Sequence, residues 1–154
     1  MRVLLAAALL AFSLPISADD TLGPEKVALL QDSSGWEYLS MDNSQNGFPT
    51  QHTCFDGSPH PDECGGRLTL TRQNRFVQQV SIRHQTVARH GRYELTGNQL
   101  AFYDEFGTRD GPYTVDIDPE KKLMSMDMPQ VKVRLVLYKE YRKQLDEAQK
   151  RKKQ

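Results

Sequence analysis

Gly91-Arg92-Tyr93-Glu94-Leu95-Thr96-Gly97-Asn98-Gln99-Leu100-Ala101-Phe102-Tyr103-Asp104 is the stretch whose reading decides the fold. Gly97-Asn98 is a two-residue hairpin signal, because glycine takes the positive φ that a type II′ turn requires at its first central position. Folding the chain back there sets Leu95 against Leu100, Tyr93 against Phe102 and Gly91 against Asp104. The apolar residues of both runs then share a face. Side chains alternate with a period of two, so a slip of one residue would turn the whole set to solvent. The coincidence of the two faces therefore predicts the register as well as the strands.

The same test applies further along. Pro129-Gln130, taken as a two-residue loop, sets Met128 against Val131, Met126 against Val133 and Met124 against Leu135. Tyr113, Val115 and Ile117 form one face of the preceding strand, between a loop at Gly107 to Gly111 and a turn at Asp118-Pro119-Glu120-Lys121. Upstream, Leu68 and Leu70 alternate with threonines, and a turn at Arg72-Gln73-Asn74 leads to Phe76, Val80 and Ile82. Val87, Arg89, Gly91, Tyr93 and Leu95 share the next face. Trp36 to Met41 supplies a first strand, and Asn43 to Gly66 reads as a long polar connection. The total is eight strands, the number at which an up-and-down antiparallel barrel closes around its own side chains or one small ligand. A short helix is expected near Pro24 to Ser33, and Tyr141, Leu145 and Ala148 repeat at helical spacing near the C-terminus.

Residues 1–18 have the pattern of a secretory signal peptide: Arg2, an apolar run from Val3 to Leu14, then Pro15-Ile16-Ser17-Ala18 before Asp19. The expected organisation is a signal peptide over 1–18, a barrel domain over 19–138 and a basic C-terminal helix and tail over 139–154. The expected product is exported, periplasmic or secreted. The chain carries 20 basic and 20 acidic residues, a balance that argues against nucleic acid as a partner. Charge is uneven, however. The segment from Lys139 to Gln154 is net positive and ends in Lys150, Arg151, Lys152 and Lys153, a tip open to weak contact with an anionic surface or to plain solvation.

The two cysteines, Cys54 and Cys64, flank a turn-rich loop and in an oxidising compartment are expected to bridge. His52 and His60 join them in a possible metal set, but the spacing matches no zinc pattern, and no metal or other cofactor is expected.

Three polar residues, His84, Arg89 and Asp104, fall on the expected inner face. A charge inside a small barrel is costly unless paired. An internal Arg89 to Asp104 salt bridge is one reading, an Arg89 receptor for a carboxylate or phosphate is another, and a bulge at Gly91 that reverses the parity is a third. The methionine stripe of Met124, Met126 and Met128 reads either as core or as an adaptable pocket wall. With Tyr93 and Phe102, these residues make up the expected ligand-contacting set: Arg89, Asp104, His84, Tyr93, Phe102, Met124 and Met126. No nucleophile elbow, zincin helix or phosphate-cradling glycine loop accompanies the histidines, so a non-catalytic role is expected.

The order of short helix, Gly35-Trp36 strand, Gly91 to Leu100 hairpin and last strand Val131 to Tyr138 resembles the small lipocalin-like domains of secreted bacterial proteins, over about Pro24 to Tyr138. The resemblance implies a calyx-type barrel that binds an apolar small molecule. Lipocalins bring an arginine of the last strand to the tryptophan; Arg134 is the nearest counterpart, and its parity points it away from the methionine face. The expected function is capture of a small amphipathic molecule, acidic head on Arg89 and tail on the methionines. The alternative is an interaction or inhibitor module of the cell envelope, using the Cys54 to Cys64 loop.

Overall fold

Nine antiparallel strands lie between two helices in the computed structural model, which describes residues 21–43, 50–53, 64–82, 85–129 and 131–153. The order is α1 (Pro24–Leu30), β1 (Trp36–Asn43), β2 (Thr50–Thr53), β3 (Cys64–Leu70), β4 (Arg75–Ile82), β5 (Gln85–Thr96), β6 (Gln99–Asp104), β7 (Arg109–Asp118), β8 (Leu123–Met128), β9 (Val131–Leu137) and α2 (Tyr138–Lys152). Consecutive strands pair from β3 to β9. β1 pairs with β3 through Trp36 and Glu37 and with β9 along its whole length, so eight strands form a closed up-and-down barrel.

Local chemistry sets the corners. Gly97 has φ +64, and across its turn Leu95 faces Leu100, Tyr93 faces Phe102 and Gly91 faces Asp104, the expected register. Met128, Met126 and Met124 likewise face Val131, Val133 and Leu135. Asn74 takes the left-handed conformation at φ +57 and donates its N–H to the Thr71 carbonyl, closing the β3–β4 turn. Asp118 fixes the β7–β8 turn by accepting the N–H groups of Glu120 and Lys121.

Inward residues fill the half of the barrel next to α1. Trp36, Leu68, Leu70, Phe76, Tyr93, Leu100, Ile117, Met124 and Leu135 are buried there, and Phe76 meets Phe102 edge to face at 4.9 Å between ring centroids. α1 covers this end. Leu30 is fully buried, a contribution on the order of 2 kcal/mol, and its carbonyl accepts the Trp36 indole N–H at 3.1 Å. α2 starts at the same end, where the Tyr138 N–H bonds to the Gly35 carbonyl and the Arg67 guanidinium lies 3.4 Å from the Tyr138 ring centroid. Its Leu145 is buried, and Lys150 to Lys153 are exposed.

Three readings need correction. The connection from Asn43 to Gly66 contains β2, which pairs Thr50 to Thr53 with Asn43 to Ser40 of β1 although it has no apolar alternation. The β1 edge that β3 leaves unpaired beyond Glu37 supplies its partner. β7 begins at Arg109, inside the expected Gly107 to Gly111 loop, because the β6–β7 register shifts between Leu100 and Phe102 and lengthens the pairing. Gly91 marks no bulge: pairing runs unbroken through it on both sides, and a Cβ there would overlap the Tyr103 carbonyl oxygen. Val87 keeps the expected parity but lies beyond the packed core and is 57% exposed.

Candidate functional site

The strand directions place the β4–β5, β6–β7 and β8–β9 connections at the end of the barrel remote from α1. Toward that end the inner face changes from apolar to polar. Five side chains from four strands make this layer: Tyr38 of β1, Gln78 of β4, Arg89 of β5, and Asp110 and Tyr113 of β7.

Arg89 and Gln78 are cross-strand partners. Gln78 donates its side-chain N–H to the Tyr38 hydroxyl at 2.7 Å. Arg89 reaches the other way and donates to Asp110 at 2.8 Å, and the Tyr113 hydroxyl donates to the other oxygen of the same carboxylate. Asp110 faces inward because the register shift in β6–β7 sets it opposite Phe102. Arg89 and Asp110 remain 35% and 30% exposed on their side chains, so solvent reaches the pair.

The two phenols of the layer hold their protons, and the guanidinium is paired with a carboxylate. Burial pushes the Tyr38 hydroxyl up to about 12, against smaller opposing effects of Gln78 and Arg89. Tyr113 is also pushed up to about 12, first by burial and then by its hydrogen bond and charge interaction with Asp110. Neither phenol is available as a base near neutrality. The groups on offer are a guanidinium whose planar fork exceeds the one bond given to Asp110, a carboxylate, and hydroxyls. Around it, Met41, Val80, Met128 and Val131 are partly buried against the core, and exposed Val87 pairs with Val80.

The residues expected from sequence divide. Arg89 lies in the polar layer. Asp104 faces Gly91 as expected, yet its carboxylate accepts the N–H groups of Phe106 and Thr108 at 2.9 and 2.8 Å and shapes the β6–β7 loop. The Thr108 N–H, more than any other partner, holds its carboxyl below the usual range. The expected Arg89 to Asp104 pair is therefore replaced by Arg89 with Asp110. Tyr93, Phe102, Met124 and Met126 lie within the packed core, the two methionines 1% and 2% exposed. Tyr93 is held further by its hydroxyl, which donates to the Thr71 carbonyl and accepts from Gln31. His84 lies outside the described residues, as do residues 1–18 and Cys54; of Cys64 only the backbone is described, so the disulfide is outside them too. Among the described residues no three His, Cys, Asp or Glu side chains converge as a metal site.

Sequence reasoning did not find Asp110, Tyr113, Tyr38 or Gln78 as site residues. The available signal was Tyr113 at the head of an apolar face with Asp110 three residues before it. Comparison with known proteins finds no matching family, no matching curated protein and no matching solved structure.

Proposed function

We propose that this chain is a non-catalytic, exported, lipocalin-like binding protein that takes a small amphipathic molecule at the mouth of its barrel. The observation that carries the reading is the Arg89 to Asp110 pair, about one third exposed, framed by apolar side chains on a wall of buried tyrosines. The acidic head of the ligand competes with Asp110 for the guanidinium, and its apolar part covers Val80, Val87, Met128 and Val131. Met124 and Met126 form the floor rather than the wall, which limits the site to short ligands.

Titration of the protein with acidic and neutral amphiphiles of equal chain length tests this. Arg89→Met is expected to lose about tenfold or more in affinity for the acids, equivalent to about 1.4 kcal/mol, with neutral analogues less affected. Absence of amphiphile binding by the wild type would overturn the reading.

A second reading, an interaction or inhibitor module of the cell envelope, is favoured by a different observation. Large side chains fill the barrel half next to α1, while Phe106 at the tip of the β6–β7 loop is 86% exposed. In that reading Phe106 and Val87 at the far end, together with the Cys54 to Cys64 loop, which lies outside the described residues, meet a protein partner.

A further inference from the structure

Four outward positions on four neighbouring strands lie side by side on the barrel wall. Arg75 of β4 pairs with Arg92 of β5, Arg92 with Tyr103 of β6, and Tyr103 with Arg109 of β7. Phe76, Gly91, Phe102 and Asp110 take the inward positions beside them, which fixes the row on the outer face. Neighbouring strands are separated by about 4.8 Å, so the row runs about 14 Å across the sheet. The three arginines are exposed. The Arg92 guanidinium lies 3.8 Å from the Tyr103 ring centroid, and Glu94 accepts hydrogen bonds from both Arg92 and the Tyr103 hydroxyl. Glu94 thus orients the centre of the row. Arg75 and Arg109 form no ion pair among the described residues.

Like charges directly opposite each other across a strand pair destabilise a sheet. Arg75 against Arg92 is such a pair; Glu94 compensates Arg92 and its charge also acts on Arg109, so the row sets three arginines against one glutamate and keeps an excess of positive charge. We propose that the row Arg75, Arg92, Tyr103 and Arg109 is a binding track for an anionic glycan bearing sulfate or phosphate esters. Guanidinium forks match the geometry of such oxyanions, and a straight row of them suits a linear polyanion laid across the strands. A single-stranded nucleic acid would need open aromatic faces for its bases, and the one ring of the row, Tyr103, already carries the Arg92 guanidinium. A lipid surface would draw instead on the other basic feature, Lys150 to Lys153 at the end of α2.

The test is a titration with heparin, a sulfated glycan, across about 0.05 to 0.2 M salt, beside neutral dextran, single-stranded DNA of similar charge, and vesicles containing phosphatidylglycerol. The wild type is expected to bind heparin and not dextran, with affinity falling steeply with salt as counterions are released. The triple variant Arg75→Gln, Arg92→Gln, Arg109→Gln is expected to lose about tenfold or more in affinity and to flatten the salt dependence by roughly two units of log–log slope. A variant with Lys150, Arg151, Lys152 and Lys153 changed to Gln should bind heparin as the wild type does. Arg75→Gln alone should fold with an unchanged or raised Tm, since it removes a like-charge pair, and should already weaken heparin. The proposal is overturned if the wild type fails to bind heparin, if the tail variant loses binding while the triple variant retains it, or if DNA or vesicles bind through the row as tightly as the glycan.

Discussion

At Arg89 the barrel holds a charge on its inner face, and Asp110 is what makes that position tolerable. Both groups are about one third exposed, so the pair is worth less than a fully buried one. Replacing Asp110 by Asn should lower folding stability by about 1 to 2 kcal/mol, since it leaves the guanidinium with a neutral partner. The same change should tighten binding of acidic amphiphiles, because the competing carboxylate is gone. Denaturant titration and ligand titration on one variant check both halves, and weaker acid binding by Asp110→Asn would count against the mouth site. Alkaline pH gives a second residue-scale expectation. Tyr38 ionises near 10 when unfolded and near 12 when folded, so above pH 10 the folded state retains a proton that the unfolded state has lost. Its contribution is therefore complete below pH 10.0 and fades as pH rises toward about 12. Stability measured between about pH 9 and 11.5 should fall less steeply for Tyr38→Phe than for the wild type. Arg89 was legible as an inward charge from parity alone. Its partner was not, because Asp110 lies in a stretch whose glycines read as loop and faces inward only through a register shift.

The hairpins show why so much of the sheet could be read from residue types. In β5–β6 and β8–β9 the turn signal and the apolar alternation specify the same register independently, and agreement between local and long-range signals is what makes a pairing legible. β2 has neither signal, since its order depends on an edge that another strand presents. In β5 the register predicts sharply different outcomes at adjacent positions. Tyr93→Ala removes a buried ring and two hydrogen bonds and should cost roughly 3 to 5 kcal/mol. Glu94→Ala, one residue along on the outer face, should leave the unfolding midpoint close to that of the wild type. Similar midpoints for both variants would mean that the register is wrong. Gly91→Ala belongs with Tyr93→Ala, because its methyl group would press on the Tyr103 carbonyl and on the Phe76 ring, an overpacking worth about 1 to 3 kcal/mol.

Over the whole molecule, the barrel is graded along its axis: an apolar, side-chain-filled half beneath α1, a polar layer of Tyr38, Gln78, Arg89, Asp110 and Tyr113, and then a rim of half-buried aliphatics. Eight strands are few enough for side chains to fill the interior, and the large residues contributed by β1, β4, β5 and β6 do so. The gradient separates a mouth site from a deep calyx by experiment, because the chain has a single tryptophan and it lies at the filled end. Trp36 is fully buried, with its indole N–H on the Leu30 carbonyl. Its emission in the folded protein should be that of an indole in an apolar site, shielded from iodide, and should shift to the red in one step with unfolding. From Arg89 the cross-strand positions lead to Trp36 through Gln78 and then Leu68, which is fully buried. Saturating ligand should therefore leave Trp36 emission almost unchanged while altering a probe placed at Val87, for example Val87→Trp in a Trp36→Phe background. A ligand that moves Trp36 emission as strongly as the Val87 probe would have to penetrate the core, and the shallow site would then give way to a calyx that opens on binding.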